Sequence, residues 1–203
     1  DFYEFFKIGE DKVAVLISDV SGKGLTAALY MMGSKAYLKE RIISSTQGPA
    51  TAIEQVNKEL CNNNRAHMFL TLFAAVLDLK TGVLTCVNAG HNPPLVRHAD
   101  GTWEYLKIKH SLPIGISSKC QYFNIDMKFE RGDRLFLYTD GVTEAKNEDN
   151  KLYGEDRLLQ ELRSMTGTPM ELIGNLKDKL DEYSTGVPQN DDITMLVLDY
   201  KND

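Results

Sequence analysis

The chain has 203 residues, 42% of them apolar, and its 29 acidic against 23 basic side chains give a formal charge of −6. That is enough apolar material for one large globular domain without staples, and the interspersed charges leave no basic stripe for a nucleic-acid backbone or an anionic lipid surface. No apolar run approaches the roughly 20 residues that cross a bilayer, and no signal peptide is evident, so the chain is expected to be soluble and cytoplasmic, with no nucleic-acid partner and no membrane insertion.

The chain opens on Asp1 rather than Met, and its first residues already read as a folded segment. It is expected to be a piece of a longer protein, with residues 1–203 forming a single domain. Val13 to Ile17 is a short, unbroken, β-branched run that fits a strand covered on both faces, and it ends in a turn over Ser18 to Gly24. From Gly24 to about Ile43, Leu25, Ala28, Leu29, Met32, Ala36 and Leu38 recur near helical spacing. A second helix from Pro49 to about Asn62 starts with proline in its favoured first turn and gathers Ala52, Ile53, Val56 and Leu60 on one face.

The period then changes. Phe69 to Leu79 and Val83 to Ala89 read as strands joined by Lys80-Thr81-Gly82. Leu95 to His98 and Trp103 to Leu106 flank a turn at Ala99 to Thr102, and Tyr122 to Phe129 and Arg134 to Thr139 flank another at Glu130 to Asp133. A short helix is expected around Leu158, Leu159 and Leu162. A longer one starts at Thr168-Pro169-Met170-Glu171, where Thr168 caps and Glu171 reaches back. Ile193 to Tyr200 closes the chain as a strand. Antiparallel strands with helices paired in sequence fit an α+β layered domain better than an alternating one.

The chemistry is expected at aspartates. Asp1, Asp19, Asp140 and Asp191 each stand at a strand end or tight turn, and Asp19 and Asp140 follow largely apolar strands, where rigid elements can aim a side chain. Carboxylates that converge repel one another unless cations lie between them, and hard oxygen donors suit Mn²⁺ or Mg²⁺. Two ions roughly 4 Å apart would activate water and clamp a transferring phosphoryl group. Cys61, Cys86 and Cys120 are too few and too widely spaced for a disulfide framework or a thiolate metal site and are expected to be reduced and mostly buried. None has arginine six positions on, the places being His67, Asn92 and Asp126, which excludes a cysteine-dependent phosphatase. Gly22-Lys23-Gly24 lacks the flanking pattern of a phosphate loop, and Asp149 to Gly154 lacks the ligand pattern of a calcium loop.

Six strings appear in order: Asp1-Phe2-Tyr3, Asp19-Val20-Ser21-Gly22-Lys23-Gly24 with Ala27-Ala28-Leu29, Met68-Phe69-Leu70-Thr71-Leu72, Asn88-Ala89-Gly90-His91-Asn92-Pro93-Pro94, Leu137 to Ala145, and Asp191-Asp192-Ile193-Thr194. In that order they resemble the bacterial branch of the PPM (protein phosphatase 2C-like) phosphatases, which includes the stage II sporulation phosphatase and the RsbU-like phosphatases. The resemblance implies a β-sandwich of two antiparallel sheets flanked by helices. It further implies a serine/threonine phosphatase with Asp19 bridging two ions, the Val20 carbonyl as a further ligand, Asp140 and Asp191 completing the first metal and Asp1 serving the second. Asp192 either supports the site or begins the strand. By the same resemblance the substrate is a phosphorylated anti-sigma-factor antagonist or similar regulatory protein, control comes from an upstream sensory or receiver domain through the helices at 24–43 and 49–62, and the protein dimerises. Met31, Met32 and Tyr37 become partner contacts if exposed, although Met32 is expected in the core.

Ser21 stands where eukaryotic members carry a histidine thought to act as general acid, and no replacement acid is clear. His91, in a turn after a strand, is either a catalytic histidine or a brace, with Asn92, for the turn at Pro93-Pro94. The rival readings are a binding module that keeps this fold without the activity, and hydrolysis of a small phosphoester or nucleotide.

Overall fold

The computed structural model describes residues 1–201. In chain order the elements are β1 (Phe2–Ile8), β2 (Lys12–Val20), α1 (Leu25–Ser44), α2 (Pro49–Asn62), β3 (Leu70–Asp78), β4 (Val83–Ala89), β5 (Leu95–Arg97), β6 (Trp103–Tyr105), β7 (His110–Ser111), β8 (Ile125–Lys128), β9 (Arg134–Tyr138), α3 (Asp140–Thr143), α4 (Glu155–Ser164), α5 (Pro169–Tyr183) and β10 (Met195–Asp199). Among the described residues, no helix is long and apolar enough to cross a membrane. The chain divides into two compact units, residues 1–91 with 108–129, and residues 92–107 with 130 onward.

The first unit is a six-stranded sheet in the order β1-β2-β3-β4-β7, with β8 also paired to β4. The pairing is antiparallel except for the two-residue β7, which runs parallel to β4. Its longest ladder joins β2 to β3 from Lys12 opposite Asp78 to Val20 opposite Leu70. The apolar run at Val13 to Ile17 lies inside β2, and Ala14, Leu16 and Val20 pack with Ile42, Ile53, Val56, Leu70 and Leu72 in one core. The helix α2 occupies the expected span and begins with Pro49 at its first turn. The β3–β4 turn closes as its residues dictate: the Asp78 carboxylate accepts the Lys80 and Thr81 N–H groups, and Gly82 sits at φ 66°.

Two expectations fail. The helix α1 buries Ala27, Ser34, Leu38 and Ile42 and leaves Leu25, Leu29 and Met32 exposed, Met32 at 64%. Tyr37 is exposed too, whereas Met31 is partly buried against the core. The helix carries two apolar stripes, and burial selects the one that includes Ser34. The expected hairpin across Glu130 to Asp133 is also absent. Strand β8 pairs with β4, while β9 pairs with β5 and β10. The turn is held without strand pairing: the Asp133 carboxylate accepts the Ala99 and Glu130 N–H groups, and the Gly132 N–H donates to the Tyr200 carbonyl.

The second unit is an antiparallel four-stranded sheet in the order β10-β9-β5-β6. Leu158 and Leu162 of α4 and Leu172, Leu176 and Leu180 of α5 share a core with Phe136 and Tyr138. Thr168 and Glu171 form the expected capping box, which secures the start of α5. The last strand begins two residues later than its apolar run and ends at Asp199. At that end the Arg134 guanidinium grips the Asp199 carboxylate with two bonds of 2.5 and 2.9 Å and donates to the Gly167 carbonyl at 2.9 Å. Both side chains are nearly buried. A buried pair of this kind is costly to break on one side, because the remaining charge is stranded. Replacing Arg134 with Ala should therefore destabilise the protein by about 3–5 kcal/mol, read as a fall in thermal midpoint, and a shift of a degree or less would contradict this.

Candidate active site

The predicted residues fall into two groups, one in each unit. In the first, Phe2 pairs with Ser18, so Asp1 and Asp19 stand at the same end of the β1–β2 ladder. Asp19 lies opposite Thr71 on β3, and Val20 is the last residue of β2. The buried Ser18 hydroxyl donates to the Thr71 carbonyl at 2.6 Å, and the Asp19 N–H donates to the Thr71 hydroxyl at 3.3 Å. The ladder is thus stitched by side chains at the point where it delivers Asp19. Ser21 is a turn brace: its hydroxyl accepts the Phe69 N–H at 2.9 Å, and its own N–H donates to the Phe69 carbonyl.

His91 is buried at 7% exposure, and Thr71 and His91 Nδ1 are 2.8 Å apart. The side chain of Asn88 holds the backbone of His91 in both directions, accepting its N–H at 2.8 Å and donating to its carbonyl at 3.0 Å. Gly90, at φ 71°, has Pro113 against it, where an added Cβ would stand 2.7 Å from the ring. These contacts explain the Asn88-Ala89-Gly90-His91 string: a left-handed glycine turns the chain, and an asparagine locks the turn. Thr71 is the functional candidate that sequence reasoning passed over. Its signal is a lone hydroxyl between Leu70 and Leu72 in a strand otherwise apolar there.

In the second unit, the pairing of β9 with β10 continues past both strand ends. The Thr139 N–H donates to the Thr194 carbonyl, and the Thr194 N–H donates to the Thr139 hydroxyl, both at 3.0 Å. Asp140 then opens the single turn α3, just past the end of β9. Gly141 meets the Asp192 carbonyl so closely that a Cβ there would overlap it. The strand-end clamp and this contact set the Asp191-Asp192 segment against α3. Burial first, then the neighbouring charges of Glu144 and Asp191, push the Asp140 carboxyl above its ordinary range. Asp192 donates its N–H to the Asp191 carboxylate at 2.9 Å. Beside Asp191 and Glu144 lies a recess of about 180 Å³, floored by Leu180, Val187 and Pro188.

The donor chemistry fits hard divalent cations. Carboxylate oxygens dominate both groups, and Asp140 is held in a state that a nearby cation would relieve. Among the described residues, no three or more His, Cys, Asp or Glu side chains gather into a ready metal cage. The cysteines are unpaired, and burial pushes the Cys86 thiol up to about 12, which removes it as a nucleophile.

Residues 9–201 match the family model for stage II sporulation protein E (SpoIIE). The chain belongs to the SpoIIE family. Among its relatives, protein IcfG of Synechocystis sp. is 30% identical over all of this chain and 36% of its own length. Phosphoserine phosphatase RsbU of Bacillus subtilis is 32% identical over 98% of this chain and 58% of its own. The chain therefore spans little more than a third of one and somewhat over half of the other. The fold, two sheets and five helices in a mixed α+β arrangement, is that of PP2C-type phosphatase domains: the SiaA-PP2C domain of Pseudomonas aeruginosa superposes with a TM-score of 0.84 at 23% identity, over all of this chain and 80% of that one. In this SpoIIE-family chain, Gly141→Ala should push the Asp191–Thr194 segment off α3. The expected result is faster amide hydrogen exchange at residues 191–194 with unchanged exchange in β2 and β3, and equal exchange at 191–194 would show that the close approach does not require glycine.

Proposed function

We propose that this chain acts as one catalytic domain, a metal-dependent phosphatase that hydrolyses phosphoserine or phosphothreonine on a regulatory protein. The observation that carries the reading is Asp140: a carboxylate partly buried beside Glu144 and Asp191, in a family that includes a phosphoserine phosphatase. Such a group is costly to keep unless it serves a cation or a proton transfer. In this reading Asp1, Asp19, the Val20 carbonyl, Asp140 and Asp191 hold two Mn²⁺ or Mg²⁺ ions, with Asp192 supporting Asp191. Bound there, the ions supply positive charge against the phosphoryl oxygens and acidify a water.

The residues of the chain do the aiming. The Thr71 bond fixes Asp19 and the Thr139–Thr194 clamp fixes Asp140, so the donors need little reorganisation when ligand arrives. The recess beside Asp191, at about 180 Å³, falls below the roughly 300–1,000 Å³ of small-molecule sites. That favours a single side chain flanking the phosphoserine over a nucleotide. A phosphorylated anti-sigma-factor antagonist, control by an upstream sensory or receiver domain, and a homodimer complete the reading, as the relatives extend well beyond the span shared with this chain.

Asp140→Asn should cost several kcal/mol of charge stabilisation, or roughly two orders of magnitude in Mn²⁺-dependent turnover of a phosphoserine peptide. Unchanged turnover would discard the metal assignment. Full chelation should abolish hydrolysis, and activity that survives it would discard the mechanism. A chain that binds the phosphopeptide without hydrolysing it would be a binding module, and faster turnover of nucleotide than of peptide would move the substrate class.

A further inference from the structure

We propose that Thr71 and His91 are positioning residues for Asp19, joined in a half-buried relay that sets the backbone at the end of β2 and so the aim of the Asp19 carboxylate and the Val20 carbonyl. The inference rests on the reading of Asp19 as a metal ligand and goes beyond it, since neither residue is counted among the ligands. It also replaces both earlier roles for His91. The turn brace comes from Asn88 and Pro113 rather than from the ring, while the ring itself is turned to a strand hydroxyl.

The Asp19 N–H donates to the Thr71 oxygen at 3.3 Å, and the same hydroxyl lies 3.5 Å from the Asp19 carbonyl and 2.8 Å from His91 Nδ1. Either tautomer of the ring ties the hydroxyl: with Nδ1 bare, Thr71 donates to it; with Nδ1 protonated, the ring donates to Thr71, whose own proton turns to the Asp19 carbonyl. In both cases the ring fixes the rotation of the hydroxyl and so the lone pair it offers the Asp19 N–H. Without the ring that rotation is unrestrained, and the side-chain tie to Asp19 loosens. The buried Ser18 hydroxyl, bonded to the Thr71 carbonyl, holds the other side of the same residue. Outer groups that orient a ligand in this way act on metal affinity without touching the metal.

The test measures Mn²⁺ binding, not turnover. The free aqua-Mn²⁺ EPR signal is followed as the whole chain is titrated, with metal-free thermal melts alongside. Thr71→Val, which keeps the shape and deletes the hydroxyl, and His91→Ala are each expected to weaken Mn²⁺ binding roughly 10- to 100-fold. Thr71→Ser should restore most of the affinity. So should His91→Asn, whose side-chain amide falls near the position of Nδ1 and can accept or donate. The double variant Thr71→Val/His91→Ala should be no weaker than the worse single one, as for groups acting in one chain. If His91→Ala melts below the assay temperature, His91→Gln takes its place, because it keeps the bulk and moves the polar group away from the position of Nδ1. Wild-type affinity in either deletion, a loss that Ser and Asn fail to recover, or additive losses in the double variant would each overturn the relay. Asp19→Asn in the same titration separates the two levels: retained Mn²⁺ affinity there would overturn the metal reading itself, whereas loss there with intact Thr71 and His91 variants would overturn only the relay.

Discussion

A threonine hydroxyl placed near the end of an antiparallel ladder is the constraint that both groups of candidate residues share. Near a strand end the backbone has fewer pairing neighbours, and side chains can add to its bonds. In the first unit the Asp19 N–H, one pair from the end of the β2–β3 ladder, donates to the Thr71 hydroxyl. In the second the Thr194 N–H, just before β10, donates to the Thr139 hydroxyl. Each bond adds side-chain order beside an aspartate. A hydrophobic side chain at either threonine would lose that bond, at a cost of about 0.5–1.5 kcal/mol.

Order at the ladder ends allows carboxylates to be held where electrostatics alone would drive them apart. Asp140 is the clear case. Burial and two neighbouring acids raise its carboxyl, and the groups that hold it there are the Thr139–Thr194 pairing and the contact between Gly141 and the Asp192 carbonyl. Gly141 is helical and needs no unusual φ; the requirement is space. The aspartate-glycine pair thus reads as a charge donor followed by a gap that admits the other acidic segment. Sites that trade stability for poise commonly show this local conflict.

Much of this was legible in the sequence, and the failures share a cause. The span of α2, the β3–β4 turn and the Thr168–Glu171 capping box are decided by residues close in sequence, and each is found as read. The face of α1 is decided by what it packs against, and its two apolar stripes look alike along the string, so Met32 was assigned inward while Ser34 holds that place. The turn at Glu130 to Asp133 has the residues of a hairpin, yet its polar groups are met by Ala99 and Tyr200, which no local pattern reveals. At the site, the aspartates stood out by type and position. Thr71 did not, because its meaning lies in a register that sets it opposite Asp19.

The same bonds bear on the missing general acid. Ser21, at the position of the eukaryotic histidine, accepts the Phe69 N–H and braces the turn after β2. In the proposed relay, the His91 ring is bonded to the Thr71 hydroxyl and its backbone is pinned by Asn88, so it serves to hold Asp19 in place. A ring nitrogen held in that bond cannot also exchange a proton there without releasing the hydroxyl it orders. On this reading the side chains around Asp19 serve aim, and a leaving group would take its proton from water, the substrate or another side chain. That division suits a reaction whose barrier is lowered mainly by positioning and charge.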